Sequence, residues 1–134
     1  MLKKLNLVVI KSIDTLKVKT LLIFENDTDT VDIITSLYEY STFNVVKSAR
    51  KLSIDEIAHI NPNIIILDHL LDDGFGGDLC LEIKMNSSTK HIPIILYSAS
   101  NHVEQLATTN FANAFISKPF DLYYFIDMVN LLAL

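Results

Sequence analysis

Ile64-Ile65-Ile66-Leu67 is an unbroken apolar run that closes on a carboxylate, Asp68. Such a run reads as a strand buried on both faces, the kind found in parallel sheets covered by helices. A charge there is costly unless it stands where the sheet ends. Ile92-Pro93-Ile94-Ile95-Leu96-Tyr97 closes in the same way on Ser98, and Ala114-Phe115-Ile116-Ser117 closes on Lys118, just before Pro119. An acid, a hydroxyl and an amine at three strand ends form a candidate site.

Strand-like runs alternate with amphipathic stretches along the whole chain, with no internal repeat or low-complexity segment between them. That order predicts an α/β fold: repeated β-α units forming a three-layer, doubly wound, five-stranded parallel sheet. The predicted strands are residues 20–24, 43–47, 64–68, 92–98 and 114–117. Val31, Ile34, Leu37 and Tyr38 share one face of a first helix, while Ser53-Ile54-Asp55-Glu56 has capping-box spacing ahead of a second that Pro62 ends. Gly76 and Gly77 precede a third, Asn101 to Glu104 has capping-box spacing for a fourth, and Asp121 starts the last. At least one of Tyr123 and Tyr124 is expected in the core.

In a doubly wound sheet, ligands bind outside the carboxyl ends of the strands, near the point where strand order reverses. Glu25, Asn26 and Asp27 follow the first strand directly. Four strand ends then converge on one pocket.

A chain of 134 residues, half of them apolar, buries a core without metal or disulfide staples. Residues 1–18 read as an N-terminal extension, with Leu2, Leu5, Val9, Ile13 and Leu16 at helical spacing; residues 19–134 read as one domain with no room after the last helix for an output domain. The formal net charge of −5 opposes polyanion partners, so neither nucleic acid nor an anionic membrane is an expected ligand. Cys80 has no partner for an internal bridge and reads as a buried thiol, which suits a reducing cytoplasm. His59, His91 and His102 show no metal-ligand spacing, and no Gly-x-Ser-x-Gly elbow supports a hydrolase built on His69 and Ser98.

In this order, the acidic cluster Glu25-Asn26-Asp27, Asp68, Ser98-Ala99 and Lys118-Pro119-Phe120 resemble the receiver domain of two-component response regulators, a five-unit flavodoxin-like fold. The resemblance implies transfer of a phosphoryl group from a histidine kinase or phosphotransfer protein to Asp68, with Mg²⁺ as cofactor. It implies that Glu25, Asn26, Asp68 and the main-chain carbonyl of Leu70 serve the metal. Lys118 and Ser98 then contact phosphoryl oxygens, the bond before Pro119 is cis, and Ser98 and Phe115 form a switch read by a downstream protein. Pairing into a homodimer through the fourth-helix face is a further implied state. The resemblance implies a signalling protein rather than an enzyme, whose only catalysis is of its own phosphotransfer and dephosphorylation.

The chain departs from that pattern in places. Asn26 stands where the metal-binding aspartate is usual, so one negative charge is missing and Mg²⁺ affinity is expected to be weaker. Asp72 stands where proline is frequent, in a glycine-rich loop, and Phe111 replaces a usual glycine before Ala112. The alternative function is therefore a pseudo-receiver, a protein-interaction module that works without phosphate. A flavodoxin-like cofactor binder is opposed by the lack of a glycine-rich phosphate loop after the first strand.

Overall fold

The computed structural model describes residues 18–134, so the expected N-terminal extension lies outside the described residues except for Val18. Strands β1 (Lys19–Phe24), β2 (Phe43–Ser48), β3 (Ile64–Asp68), β6 (Ile94–Ser98) and β7 (Ala114–Ser117) form one parallel sheet in the order β2-β1-β3-β6-β7. Strand order reverses between β1 and β3. Helices α1 (Thr28–Leu37) and α5 (Leu122–Leu132) cover one face, while α2 (Ile54–Ile60), α3 (Gly76–Met85) and α4 (Val103–Thr109) cover the other.

The two-residue alternation of strands sorts the core into these two layers. Leu21, Ile23, Ile64, Ile66, Ile95 and Ile116 meet Ile34 of α1 and Phe125 and Val129 of α5. Leu22, Phe24, Ile65, Leu67 and Leu96 meet Ile57, Leu79, Ile83 and Ala107. Every residue of β3 is buried, as its unbroken apolar run predicts. Full burial of each such side chain stabilises by roughly 1.5–3 kcal/mol, so truncating Ile66 would open a cavity in the centre of the sheet.

Local chemistry sets the element ends. Asp27, Ser53 and Asp121 cap α1, α2 and α5 by accepting from the backbone N–H groups of Thr30, Glu56 and Tyr124. Pro93 lies outside β6 because it has no N–H for the ladder, although its carbonyl still accepts from Ile65 N–H at 2.9 Å. The fourth helix differs from its predicted start. His102 occupies the cap without a side-chain bond, and Ser100 Oγ instead accepts from His102 N–H at 3.1 Å.

Phe111 takes a left-handed conformation, φ 61°, in which glycine would be free of strain. Ala112 N–H closes that turn on Ala107 O at 2.9 Å. Tyr123 and Tyr124 are both exposed, against expectation, because Phe125 and Val129 define the inward stripe of α5 and the tyrosines fall beside it. Cys80 is fully buried, its thiol 3.3 Å from Asn110 O, and burial pushes its pKa up to about 11.

Candidate functional site

The polar end of the sheet follows from register. Asp68 is the Cα partner of Tyr97 on β6, and Glu25 and Lys118 continue the alternate series Leu21-Ile23 and Ala114-Ile116. Glu25, Asp68, Tyr97 and Lys118 thus crown the α1/α5 layer as its last polar course. Ser98 belongs to the opposite series, with Ile94 and Leu96. Among the described residues, Glu25, Asp68, Thr89 and Ser98 are the buried polar side chains, and three of the four lie here.

Lys118 Nζ bridges the two carboxylates, 3.0 Å from Glu25 Oε2 and 3.1 Å from Asp68 Oδ2. The peptide bond before Pro119 is cis. Glu25 Oε1 accepts from Asp27 N–H at 3.0 Å, and Oε2 also accepts from the Tyr97 hydroxyl. These donors outweigh burial and hold the Glu25 carboxyl below its ordinary value. Asp68 fares differently: burial first, then the neighbouring Glu25, raise its pKa from 3.8 to about 6 against the opposing pull of Lys118. Burial and the adjacent acids push the Tyr97 phenol far up, so its hydroxyl stays a donor.

A cleft of about 380 Å³ opens above this layer, lined by Asp68, His69, Leu70, Ser98, Ala99, Ser100 and Lys118. Ser98 Oγ accepts from Ser100 N–H at 3.1 Å. His69 stacks on Phe75, and its Nδ1 accepts from Gly77 N–H at 3.1 Å, which places any proton of the neutral ring on Nε2. Phe115 lies opposite Leu96 on β7, on the face that Ser98 shares, and is 36% exposed.

The glycine-rich loop after β3 is a small antiparallel hairpin, β4 (Leu70–Leu71) with β5 (Gly74–Phe75), which pattern reading missed. Gly76 then passes so close that an added Cβ would lie 1.9 Å from the Asp68 carbonyl oxygen. Only glycine fits there. Gly76 N–H bonds to His69 O at 2.6 Å, so the neighbouring Leu70/Phe75 pair is a non-hydrogen-bonded one, and its carbonyls point away from the ladder. The Leu70 carbonyl is therefore free to face the cleft.

The oxygen donors at this end of the sheet are of the kind that suits a magnesium ion. Among the described residues no three His, Cys, Asp or Glu side chains gather in metal-binding proximity. Mg²⁺ needs fewer, because it prefers oxygen donors and keeps several waters. Asp68 Oδ1 accepts only a long contact from Leu70 N–H, 3.4 Å, and the Asn26 amide donates through Nδ2 to Asp72 Oδ1 at 3.0 Å, leaving its oxygen available. Asp68, Asn26 and the Leu70 carbonyl thus offer three oxygens. Glu25 has most of its acceptor sites filled and suits a water-mediated contact.

All the residues expected from the sequence, Glu25, Asn26, Asp68, Leu70, Ser98, Phe115 and Lys118, thus lie at or beside one end of the sheet. Tyr97 and Asp72 were not expected. A tyrosine in an otherwise aliphatic buried strand was the available signal for Tyr97, since a buried phenol needs a hydrogen-bond partner.

Comparison with known proteins agrees with this architecture. The response regulator receiver domain profile matches residues 21–130, and the chain belongs to that family. Over 111 residues it is 29% identical to Histidine kinase P4 of Formosa agariphila, covering 79% of this chain but only 8% of that much longer protein. Two crystal structures share the fold. The BeF3-activated N-terminal receiver domain of Klebsiella pneumoniae RstA superposes with a TM-score of 0.74 at 20% identity, covering 86% of this chain and 98% of the other. The receiver domain of the Pseudomonas aeruginosa sensor histidine kinase PA1611, which has a magnesium ion coordinated in its active site cleft, gives 0.73 at 15% identity, covering 87% and 98%. The chain is a receiver domain of two-component signalling. Among the described residues, no helix is long and apolar enough to cross a membrane.

Proposed function

We propose that this receiver accepts a phosphoryl group on Asp68 from a phosphohistidine of a histidine kinase or phosphotransfer protein, in the cytoplasm, and passes the signal to a separate protein. The observation that carries this reading is the Lys118 ammonium, held between Asp68 and Glu25 beside a cleft that also receives Ser98. An Asp68 oxygen attacks phosphorus, the P–N bond breaks, and its electron pair leaves with the imidazole, which takes a proton from water. In self-dephosphorylation a water attacks phosphorus and the bond to Asp68 breaks, returning carboxylate and inorganic phosphate.

Asp68, Asn26 and the Leu70 carbonyl would hold Mg²⁺, which would supply positive charge against the repulsion between two anions. Lys118 adds a second positive charge on a flexible stem, and the Ser98 hydroxyl donates to another phosphoryl oxygen. The phosphoryl group competes with Asp68 and Glu25 for Lys118. As Ser98 moves toward it, space opens on the face shared with Phe115, which turns inward and changes the surface offered by α4, β7 and α5.

The pseudo-receiver reading draws support from Asn26, which leaves the loop after β1 one charge short. Incubation with Mg²⁺ and acetyl phosphate, followed by mass spectrometry, separates the two. A single phosphoryl increment that vanishes in Asp68→Asn supports the phosphoacceptor. No increment at any Mg²⁺ concentration supports the interaction module.

A further inference from the structure

Tyr97 is fully buried, yet it is bound at both its ends. Its hydroxyl donates to Glu25 Oε2, and the Lys118 ammonium lies 4.2 Å from its ring centroid. The ring makes a T-shaped contact with Phe120, centroids 6.1 Å apart, and Phe120 stacks on Phe125 of α5 at 5.1 Å. Phenylalanine would fill the same volume, so packing alone does not account for the hydroxyl.

A carboxylate offers about four lone-pair sites. On Glu25 the Asp27 N–H takes one, and Tyr97 and Lys118 take two more on the other oxygen. Without the phenol, Glu25 would keep fewer donors in a place where it is 3% exposed, and its carboxylate would be free to turn toward Lys118 or Asp68. The ring in turn gives the ammonium an apolar seat with a negative face.

We propose that Tyr97 is a positioning residue of the phosphoacceptor site: its hydroxyl fixes Glu25 and its ring seats Lys118, so that both charges flanking Asp68 stand in place before the phosphoryl group arrives. This rests on the phosphoacceptor reading. When a phosphoryl oxygen draws Lys118 away from Glu25 and off the ring, the surroundings of Tyr97 change, and the Phe120–Phe125 stack carries that change to α5. This path lies on the opposite face of the sheet from the one joining Ser98 to Phe115.

The chain has five tyrosines and no tryptophan, so its emission sums Tyr97 with four other tyrosines, and the difference between wild type and Tyr97→Phe isolates the share of Tyr97. Addition of Mg²⁺ with beryllofluoride, a phosphoryl mimic, is expected to change the emission of the wild-type protein, a reading that needs no variant. In Tyr97→Phe that change shrinks to the part carried by the other tyrosines, and uptake from acetyl phosphate slows about tenfold. In a Glu25→Gln background the same substitution slows uptake less than twofold further, because the hydroxyl acts through Glu25. An unaltered rate and emission response in Tyr97→Phe would overturn the assignment, as would an equal loss of rate in both backgrounds, which marks mere packing. Wild-type protein that takes up no phosphoryl group overturns the phosphoacceptor reading itself, and this inference with it.

Discussion

Asp68, Ser98 and Lys118 occupy the ends of hydrogen-bonded strands, with Asp68 and Ser98 nearly out of contact with water, whereas Asn26 and Asp72 meet in loops on the exposed rim. On the strand side the carboxylate is nearly dry, the ammonium is only about a fifth exposed, and the partner of each is dictated by register. On the loop side the groups are hydrated: the residue after Glu25 is an amide, Asn26, and Asp72, 46 residues away, accepts a hydrogen bond from that amide at 3.0 Å. The contrast teaches that one half of such a site is bound to the stability of the fold, while the other is open to exchange.

Lys118→Met tests the strand side most severely. It leaves Glu25 and Asp68, whose side chains are 1% and 10% exposed, with no cation between them. A loss of about 3 kcal/mol at pH 7 is expected from urea unfolding, as when one member of a buried pair is removed. The loss shrinks as pH falls, because Asp68, whose pKa is already raised to about 6 with Lys118 in place and rises further without it, takes up a proton and relieves the repulsion. A cost below about 0.5 kcal/mol, the level of an ordinary surface change, would erase the distinction between the two halves.

Asp68→Asn has the opposite sign. The folded protein holds the Asp68 proton up to about pH 6, against an ordinary value of 3.8, so it binds more protons than the unfolded chain between those limits. This group's contribution is complete below pH 3.8 and is lost as pH rises through 6. The metal-free variant is therefore expected to be more stable than wild type by about 1–3 kcal/mol at pH 7, with the difference vanishing near pH 4. Glu25 works the other way: its lowered carboxyl stabilises above 4.5 and loses that effect as pH falls. Urea midpoints of both proteins across this range decide the matter, and a less stable Asp68→Asn protein at pH 7 would contradict it.

The strand side was legible in the sequence because its signals are local. A dry run ending on Asp68, another on Ser98 and a third on Lys118-Pro119 each specify a strand and its carboxyl end without knowledge of the others. Tyr97 escaped notice because its partner Glu25 lies 72 residues away, and only the register of three strands brings them together. Asp72 escaped because β4 and β5 have two residues each, too few to show alternation, and because its apparent departure from pattern gained meaning only beside Asn26. The fourth helix began later than its capping-box spacing implied, since Ser100 captured the backbone N–H of His102 first.

The loop side predicts smaller effects, seen in metal affinity rather than stability. Asn26→Asp restores a carboxylate and is expected to tighten Mg²⁺ about tenfold in calorimetric titration, the size of one partly hydrated charge contact. No gain would show that the site is not short of charge. Asp72→Asn keeps a carbonyl oxygen for the Asn26 amide but removes the charge behind it. A two- to threefold weakening of Mg²⁺ is expected, fading as salt is raised, because exposed charges act through screened solvent. Neither change should move the urea midpoint by more than about 0.5 kcal/mol. If Asp72→Asn instead costs as much affinity as Asn26→Asp gains, and resists salt, then Asp72 ligates the metal directly. The loop side would then be as firmly built as the strand side, with its carboxylate relocated rather than lost.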